Sequence, residues 1–331
     1  MSLARDSTVE WLLAGDPSIR WHVMRDLLQA SPEQVARERH RVADAGWGHR
    51  LLALQGRDGR WDKGLYTPKW TSTTYTLLLL RSLGLETGNR RARRGAELLL
   101  DAGLYIDGGI NLWLPRRKCS ETCVTGMVLG SAARFAPDDA RVNRLAAHLC
   151  AEQMQDGGWN CQRCRGATHS SMHTTISVLE ALLEYEQAKG RLGADTCAAR
   201  ERAHEFLFRH RLFRSHRTGE VIDGCMTRFS FPPQWHYDVL RALDYLQAAG
   251  ARRDSRLQEG IEIVERRRSQ NGTWLLQNFY RGRYHFVMEE PGAPSRWNTL
   301  RALRVLRWWH DLAPPEPSGR VNAIPQSPRT R

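Results

Sequence analysis

Met172-His173-Thr174-Thr175-Ile176 opens a Leu-rich run of helical spacing, and the same pattern returns five more times along the chain. The other openings are Trp21-His22-Val23-Met24-Arg25-Asp26-Leu27, Thr73-Thr74-Tyr75-Thr76-Leu77, Glu121-Thr122-Cys123-Val124-Thr125-Gly126-Met127, Trp235-His236-Tyr237-Asp238-Val239-Leu240 and Arg296-Trp297-Asn298-Thr299-Leu300. Aligned on positions 22, 74, 123, 173, 236 and 297, the steps are 52, 49, 50, 63 and 61 residues. That is the length of a helix hairpin with its loops. More charged, one-sided helices are expected in between, over 8–14, 38–54, 91–102, 140–154, 198–211 and 256–269. Six outer and six inner helices then alternate, and six hairpins suffice to close a ring. The fold expected is all-α, an (α/α)6 toroid in one domain over 1–312. The inner helices would run parallel with their N-termini at one rim. The stretch 313–331 is rich in Pro and without apolar periodicity, and reads as a tail without fixed fold.

Three hairpin loops carry a Gln-to-Trp signature: Gln55 to Trp61, Gln153 to Trp159 and Gln270 to Trp274, each with Gly between. Gly permits the tight turn after the outer helix, Gln can bond the backbone, and Trp can cover the loop. These are staples of structure.

The chain has 331 residues, twelve Trp, seven Cys and a net charge of +13. Lys and Arg are scattered, apart from runs such as Arg266-Arg267-Arg268, which speaks against nucleic acid as a partner. No run of eighteen apolar residues exists, so no transmembrane segment is expected. The first residues, Met1 to Asp6, lack the apolar region of a secretory leader. A cytoplasmic, reducing setting is the expectation, and there close Cys pairs point to metal more than to disulfide.

The openings at Glu121-Thr122-Cys123 and Met172-His173-Thr174 hold a carboxylate, a thiol and an imidazole, three ligand types with affinity for zinc. If their helices are parallel neighbours, the three converge at one rim. A competing metal reading uses sulfur alone. Cys119 and Cys123 are spaced C-x3-C, Cys161 and Cys164 C-x2-C, and together they suit a closed structural zinc.

With its hairpins and Gln/Gly/Trp loops, the chain resembles the superfamily of terpenoid cyclases and protein prenyltransferase β subunits over roughly residues 5 to 311. Those β subunits place Asp-x-Cys at one inner-helix start and His at the next. Glu121-Thr122-Cys123 and His173 stand at those places. The resemblance implies Zn2+ at Glu121, Cys123 and His173, with a diphosphate held by Lys118 and Arg116. The carboxylate is Glu instead of Asp, and Pro115 falls where the family has a diphosphate-binding Arg. The Asp-x-Asp-Asp and Asp-Asp-x-x-Asp motifs of terpene cyclases are absent.

A second rim cluster follows. Asp223, His236 and Asp238 are candidate acid/base groups. Asp223 and Cys225 repeat the Asp-x-Cys spelling, with His285 as a partner. Trp70, Trp235, Tyr237 and Trp297 are expected to line an aromatic cavity, with Arg228 beside it, that holds an isoprenoid or other hydrophobic, diphosphate-bearing molecule. A peptide or thiol would be the acceptor. Three functions remain open: a zinc-dependent prenyltransferase-like enzyme, a metal-independent terpene cyclase or isomerase, and a non-enzymatic binding toroid with a structural Cys-rich zinc site.

Overall fold

The computed structural model describes residues 7–113, 118–190 and 193–311. They are mostly helical. Thirteen α-helices occur among the described residues: α1 (Ser7–Leu13), α2 (Pro17–Asp26), α3 (Pro32–Asp44), α4 (Gly46–Ala53), α5 (Thr73–Leu83), α6 (Arg90–Gly103), α7 (Thr122–Phe135), α8 (Ala140–Ala151), α9 (Met172–Lys189), α10 (Ala194–Arg209), α11 (Val239–Ala248), α12 (Gln258–Arg266) and α13 (Arg296–His310). A two-stranded antiparallel ribbon, β1 (Trp274–Leu275) with β2 (Pro294–Ser295), leads into α13.

The six repeated openings begin or lie within α2, α5, α7, α9, α11 and α13. These helices pack in the order α5, α7, α9, α11, α13, α2. The Trp21 indole of α2 then donates to the Leu83 carbonyl at the end of α5, at 2.9 Å. Helices α3, α6, α8, α10 and α12 each pack on one or two members of that series. Sequence reading expected one helix over 38–54, but two form. The chain breaks at Ala45 and Gly46, where Gly46 takes φ 68° and the Asp16 carboxylate accepts the Trp47 N–H at 2.8 Å.

Helix α7 is the most enclosed. Of its residues only Cys123 and Arg134 are not fully buried. It packs tightly on α9 because Gly126 faces the Ser177 carbonyl, where a Cβ would come within 3.2 Å. Gly130, one turn on, leaves room for the Arg81 guanidinium.

The Gln/Gly/Trp loops share one hydrogen-bond scheme. The indoles of Trp61, Trp159 and Trp274 donate to the carbonyls of Leu51, Leu149 and Val264, each at 2.7 Å. Their backbone N–H groups donate to the hydroxyls of Thr73, Thr175 and Thr299 at the next inner helix. Ile110 donates likewise to Thr125 at 2.9 Å. The threonines set the true register of the repeat. Thr125, Thr175 and Thr299 lie two residues after positions 123, 173 and 297, so Thr73 makes position 71, not 74, the equivalent. The Thr71-Ser72-Thr73-Thr74 run hid that slip, because hydroxyl residues occupy every candidate register.

Candidate functional site

A cavity of about 540 Å³ lies among α2, α5, α7, α9, α11 and α13, and all six contribute to its wall. One end is formed by Phe231, Pro233 and Trp297, near helix starts; the other by Gly84, Arg134, Gln187 and Ala248, near helix ends. The sequence suggested an aromatic hollow. The wall is instead charged, with seven arginines against four carboxylates. Arg241 donates to both oxygens of Glu180, at 2.7 and 2.9 Å, and Arg81 adds a third bond at 3.2 Å. Arg304 bonds Asp244, and Asp26 at 3.0 Å. Arg134 reaches Glu184 only at 3.5 Å.

These pairs set the ionisation of the wall. Burial works to raise the Glu180 carboxyl, but Arg241 and Arg81 outweigh it and hold it below the usual carboxylate range. Burial chiefly, with Arg25 and Arg304, lowers His22 to about 4. Its Nδ1 accepts from Arg25 at 3.2 Å and its Nε2 donates to the Ser82 carbonyl at 3.3 Å, the pattern of a neutral ring.

A separate aromatic layer gathers around the segments before α5 and α11. The His236 ring stacks on Tyr280 at 3.5 Å and on Trp235 at 3.7 Å between centroids. Trp70 meets Tyr75 edge-on at 4.8 Å and His236 at 5.8 Å. The Lys69 ammonium lies over three rings, 5.5 Å from Tyr66, 5.5 Å from Trp70 and 5.4 Å from Trp235. The loop carrying it is tied down, since Trp70 N–H donates to the Arg283 carbonyl at 2.8 Å and Arg283 N–H to the Lys69 carbonyl at 2.9 Å. Burial lowers the Lys69 ammonium and, with the charges of His173, Arg241 and Lys69, takes His236 down to about 3. Among the described residues, His236 Nδ1 is buried without a hydrogen-bond partner.

The candidates from the sequence are dispersed. Trp297 and Phe231 stack at 4.2 Å and line the cavity; Trp70 and Trp235 do not line it and belong to the aromatic layer. Tyr237 is buried, its hydroxyl donating to the Leu212 carbonyl at 2.6 Å. Asp238 is fully buried and holds structure, accepting from Ser230 Oγ at 2.8 Å and from Arg241 N–H at 2.7 Å. Asp223 and Arg228 are exposed, and Asp223 accepts the Cys225 N–H at 2.7 Å. His285 turns to the Thr76 hydroxyl at 3.0 Å. Lys118 is exposed, and Arg116 lies outside the described residues.

The set Glu121, Cys123 and His173 does not fit zinc as it stands. Among the described residues no three of His, Cys, Asp and Glu form a group that could hold a metal ion. Glu121 faces Arg165 at 3.5 Å. The neighbouring Cys161 and burial raise the Cys123 thiol, and the Cys123 neighbour lowers Cys161 to about 6. His173 Nδ1 accepts the Tyr237 N–H at 2.8 Å, so in the neutral ring Nε2 carries the proton and no lone pair is left for an ion. Cys119 and Cys164, expected as reduced thiols, form a disulfide.

The cavity arginines were missed. A signal was present: Arg81 and Arg134 interrupt the largely apolar runs of α5 and α7.

No protein-family model matches the chain, and no curated protein matches it. Solved structures do. A crystal structure of a protein from Actinoplanes is 17% identical, with a TM-score of 0.45, over 89% of this chain and 90% of that one. The type II terpene cyclase MstE from Scytonema, as a variant in complex with geranylgeranyl dihydroxybenzoate, is 16% identical, with a TM-score of 0.44, over 90% of this chain and 89% of that one. A second MstE variant with the same substrate is 15% identical, with a TM-score of 0.41, over 89% and 86%. The structural neighbours thus include type II terpene cyclases at low sequence identity. At such identities and TM-scores the function has to be read from this chain's own residues.

Proposed function

We propose that the chain is an (α/α)6 toroid in one domain and a metal-independent cyclase or isomerase of the terpene class. Its substrate is an isoprenoid amphiphile with an anionic end. The observation that carries this reading is the Lys69 ammonium seated over the faces of Tyr66, Trp70 and Trp235. Rings that attract an ammonium attract a carbocation by the same quadrupole, and do so more strongly when water is excluded. The arginine-lined cavity, with Phe231, Pro233 and Trp297 in its wall, offers partners for an anionic head. The packing order of the six inner helices supports the ring.

His236 ends the reaction in this reading. A ring lowered to about 3 is neutral at pH 7, and its buried Nδ1 has no partner among the described residues. The cation forms when one substrate alkene takes up a proton from the medium; a C–H bond beside the cation then breaks, its electrons form the product alkene, and the proton passes to Nδ1, which leaves the mass unchanged. Asp238, bonded to Ser230 and the Arg241 N–H, positions α11.

The test uses the full chain, treated with chelator, and geranylgeranyl dihydroxybenzoate or a polyprenyl diphosphate as probe. Mass spectrometry should find an isomer of unchanged mass, insensitive to chelation and formed more slowly by Trp235→Leu. Absence of both conversion and binding overturns the proposal. Binding without conversion, weakened by Arg134→Gln and indifferent to Trp235→Leu, selects a binding toroid, the reading that the charged wall favours.

A further inference from the structure

The segment leading into α7 and the loop leading into α9 are joined at three points. Cys119 is bonded to Cys164, Glu121 faces Arg165 at 3.5 Å, and Cys123 neighbours Cys161. The pairs nest, Cys123 and Cys161 falling inside Cys119 and Cys164 along the chain, so a C-x3-C run and a C-x2-C run meet across the two loops. Both loops are anchored. Ser120 N–H donates to Asp107 at 2.8 Å, and Cys161 N–H to the Thr174 hydroxyl at 3.2 Å. A staple needs two cysteines; here a second pair is placed against the first.

We propose that these four cysteines form a redox-gated site for zinc, shut to metal while the Cys119–Cys164 bond stands and tetrahedral once it is reduced. The disulfide ties up two of the four donors. Four thiolates around a d¹⁰ ion make a closed structural coordination shell. The site shares only Cys123 with the set that the family resemblance implied. It stands apart from the proposed reaction, since no step of that reaction uses metal.

The chemistry balances with a dithiol as reductant. The Cys119–Cys164 bond takes up two electrons and two protons and breaks into two thiols, while the dithiol becomes a disulfide. Zinc then binds four sulfurs and displaces their protons to solvent. The Arg165 guanidinium, already at this junction, offsets part of the negative charge that four thiolates leave around a divalent ion.

The experiment compares full-length protein, oxidised and dithiol-reduced under anaerobic conditions, by zinc content and by the absorption of added Co2+. Reduced protein should take up a single Co2+ per chain, with thiolate-to-cobalt charge transfer and the intense visible bands of tetrahedral coordination. Zinc should displace it, and oxidised protein should show neither band. Cys164→Ser should abolish the four-sulfur spectrum while circular dichroism stays helical; Cys150→Ser should leave the spectrum unchanged. Cys119→Ser provides the same reading should Cys164→Ser not fold. A reduced protein without these bands overturns the proposal. So does a cobalt spectrum that survives Cys164→Ser and disappears with His173→Ala.

Discussion

Arg241 grips Glu180 with two parallel hydrogen bonds, 2.7 and 2.9 Å long, across the wall of the central cavity. The pair joins α9 to α11, and Arg81 brings in α5 from the other side at 3.2 Å. Glu180→Gln removes the charge that holds both guanidiniums and leaves Arg241, itself buried, without its carboxylate. The expected loss is about 2–4 kcal/mol, at the lower side of a buried pair because the side chain still faces the cavity. Urea denaturation at pH 7 measures it. The Glu180 carboxyl is depressed in the folded state, so its contribution is present above the unfolded value and is lost as pH falls through the folded one. Below that range the variant and the parent should converge.

His22 acts on the same acid limb, at higher pH. Burial lowers it from 6.5 to about 4, so the unfolded chain binds its proton first as the solution is acidified. Stability should be level above pH 6.5 and fall between pH 6.5 and about 4, by up to about 3 kcal/mol from this residue. His22→Gln should flatten that part of the profile, read as the urea midpoint between pH 7 and pH 4.5. An unchanged slope in the variant would remove His22 from the account.

Thr175→Val tests the loop scheme. It deletes the hydroxyl that accepts the Trp159 N–H at 3.0 Å and keeps the shape. A buried donor left without a partner costs about 1–3 kcal/mol. Thr73→Val and Thr299→Val should cost similar amounts, since each serves the same bond in another hairpin. Thermal unfolding of the three variants checks the equivalence. Thr74→Val should fall well below them, because Thr74 bonds the Leu65 carbonyl instead.

Trp235→Leu removes one of the three faces over Lys69. If the rings stabilise a cation in turnover, conversion should drop roughly 10- to 30-fold, the equivalent of about 1.4–2 kcal/mol of desolvated cation–π attraction. The melting temperature should change little beyond the lost packing, as the indole is only half-buried and its N–H has no partner among the described residues.

The helices and their alternation were legible because burial leaves a periodic mark. Trp61, Trp159 and Trp274, spelled out by their loops, proved fully buried. Register was harder at Thr71 to Thr74, where similar residues compete and only the bond to Trp61 decides. The cavity escaped because charge on a helix ordinarily means solvent, and here Arg241, Arg301 and Arg304 point inward onto Glu180, Asp238 and Asp244. The aromatic layer was half legible. Trp70 and Trp235 could be named, but Lys69 and Tyr280 reach them through loops whose course no periodicity records. Which cysteines pair follows from how two loops meet, and spacing leaves that open.

Arg304 of α13 bonds Asp26 of α2 at 3.0 Å, and Arg307 beside it donates to the carbonyls of Asp26 and Leu27 at 2.8 and 2.7 Å. An open stack of hairpins can melt from an exposed terminal repeat, one unit at a time. Bolting the last inner helix to the first takes that route away, so hydrogen exchange should be nearly as slow in α2 and α13 as in α7, and denaturation should be a single all-or-none event.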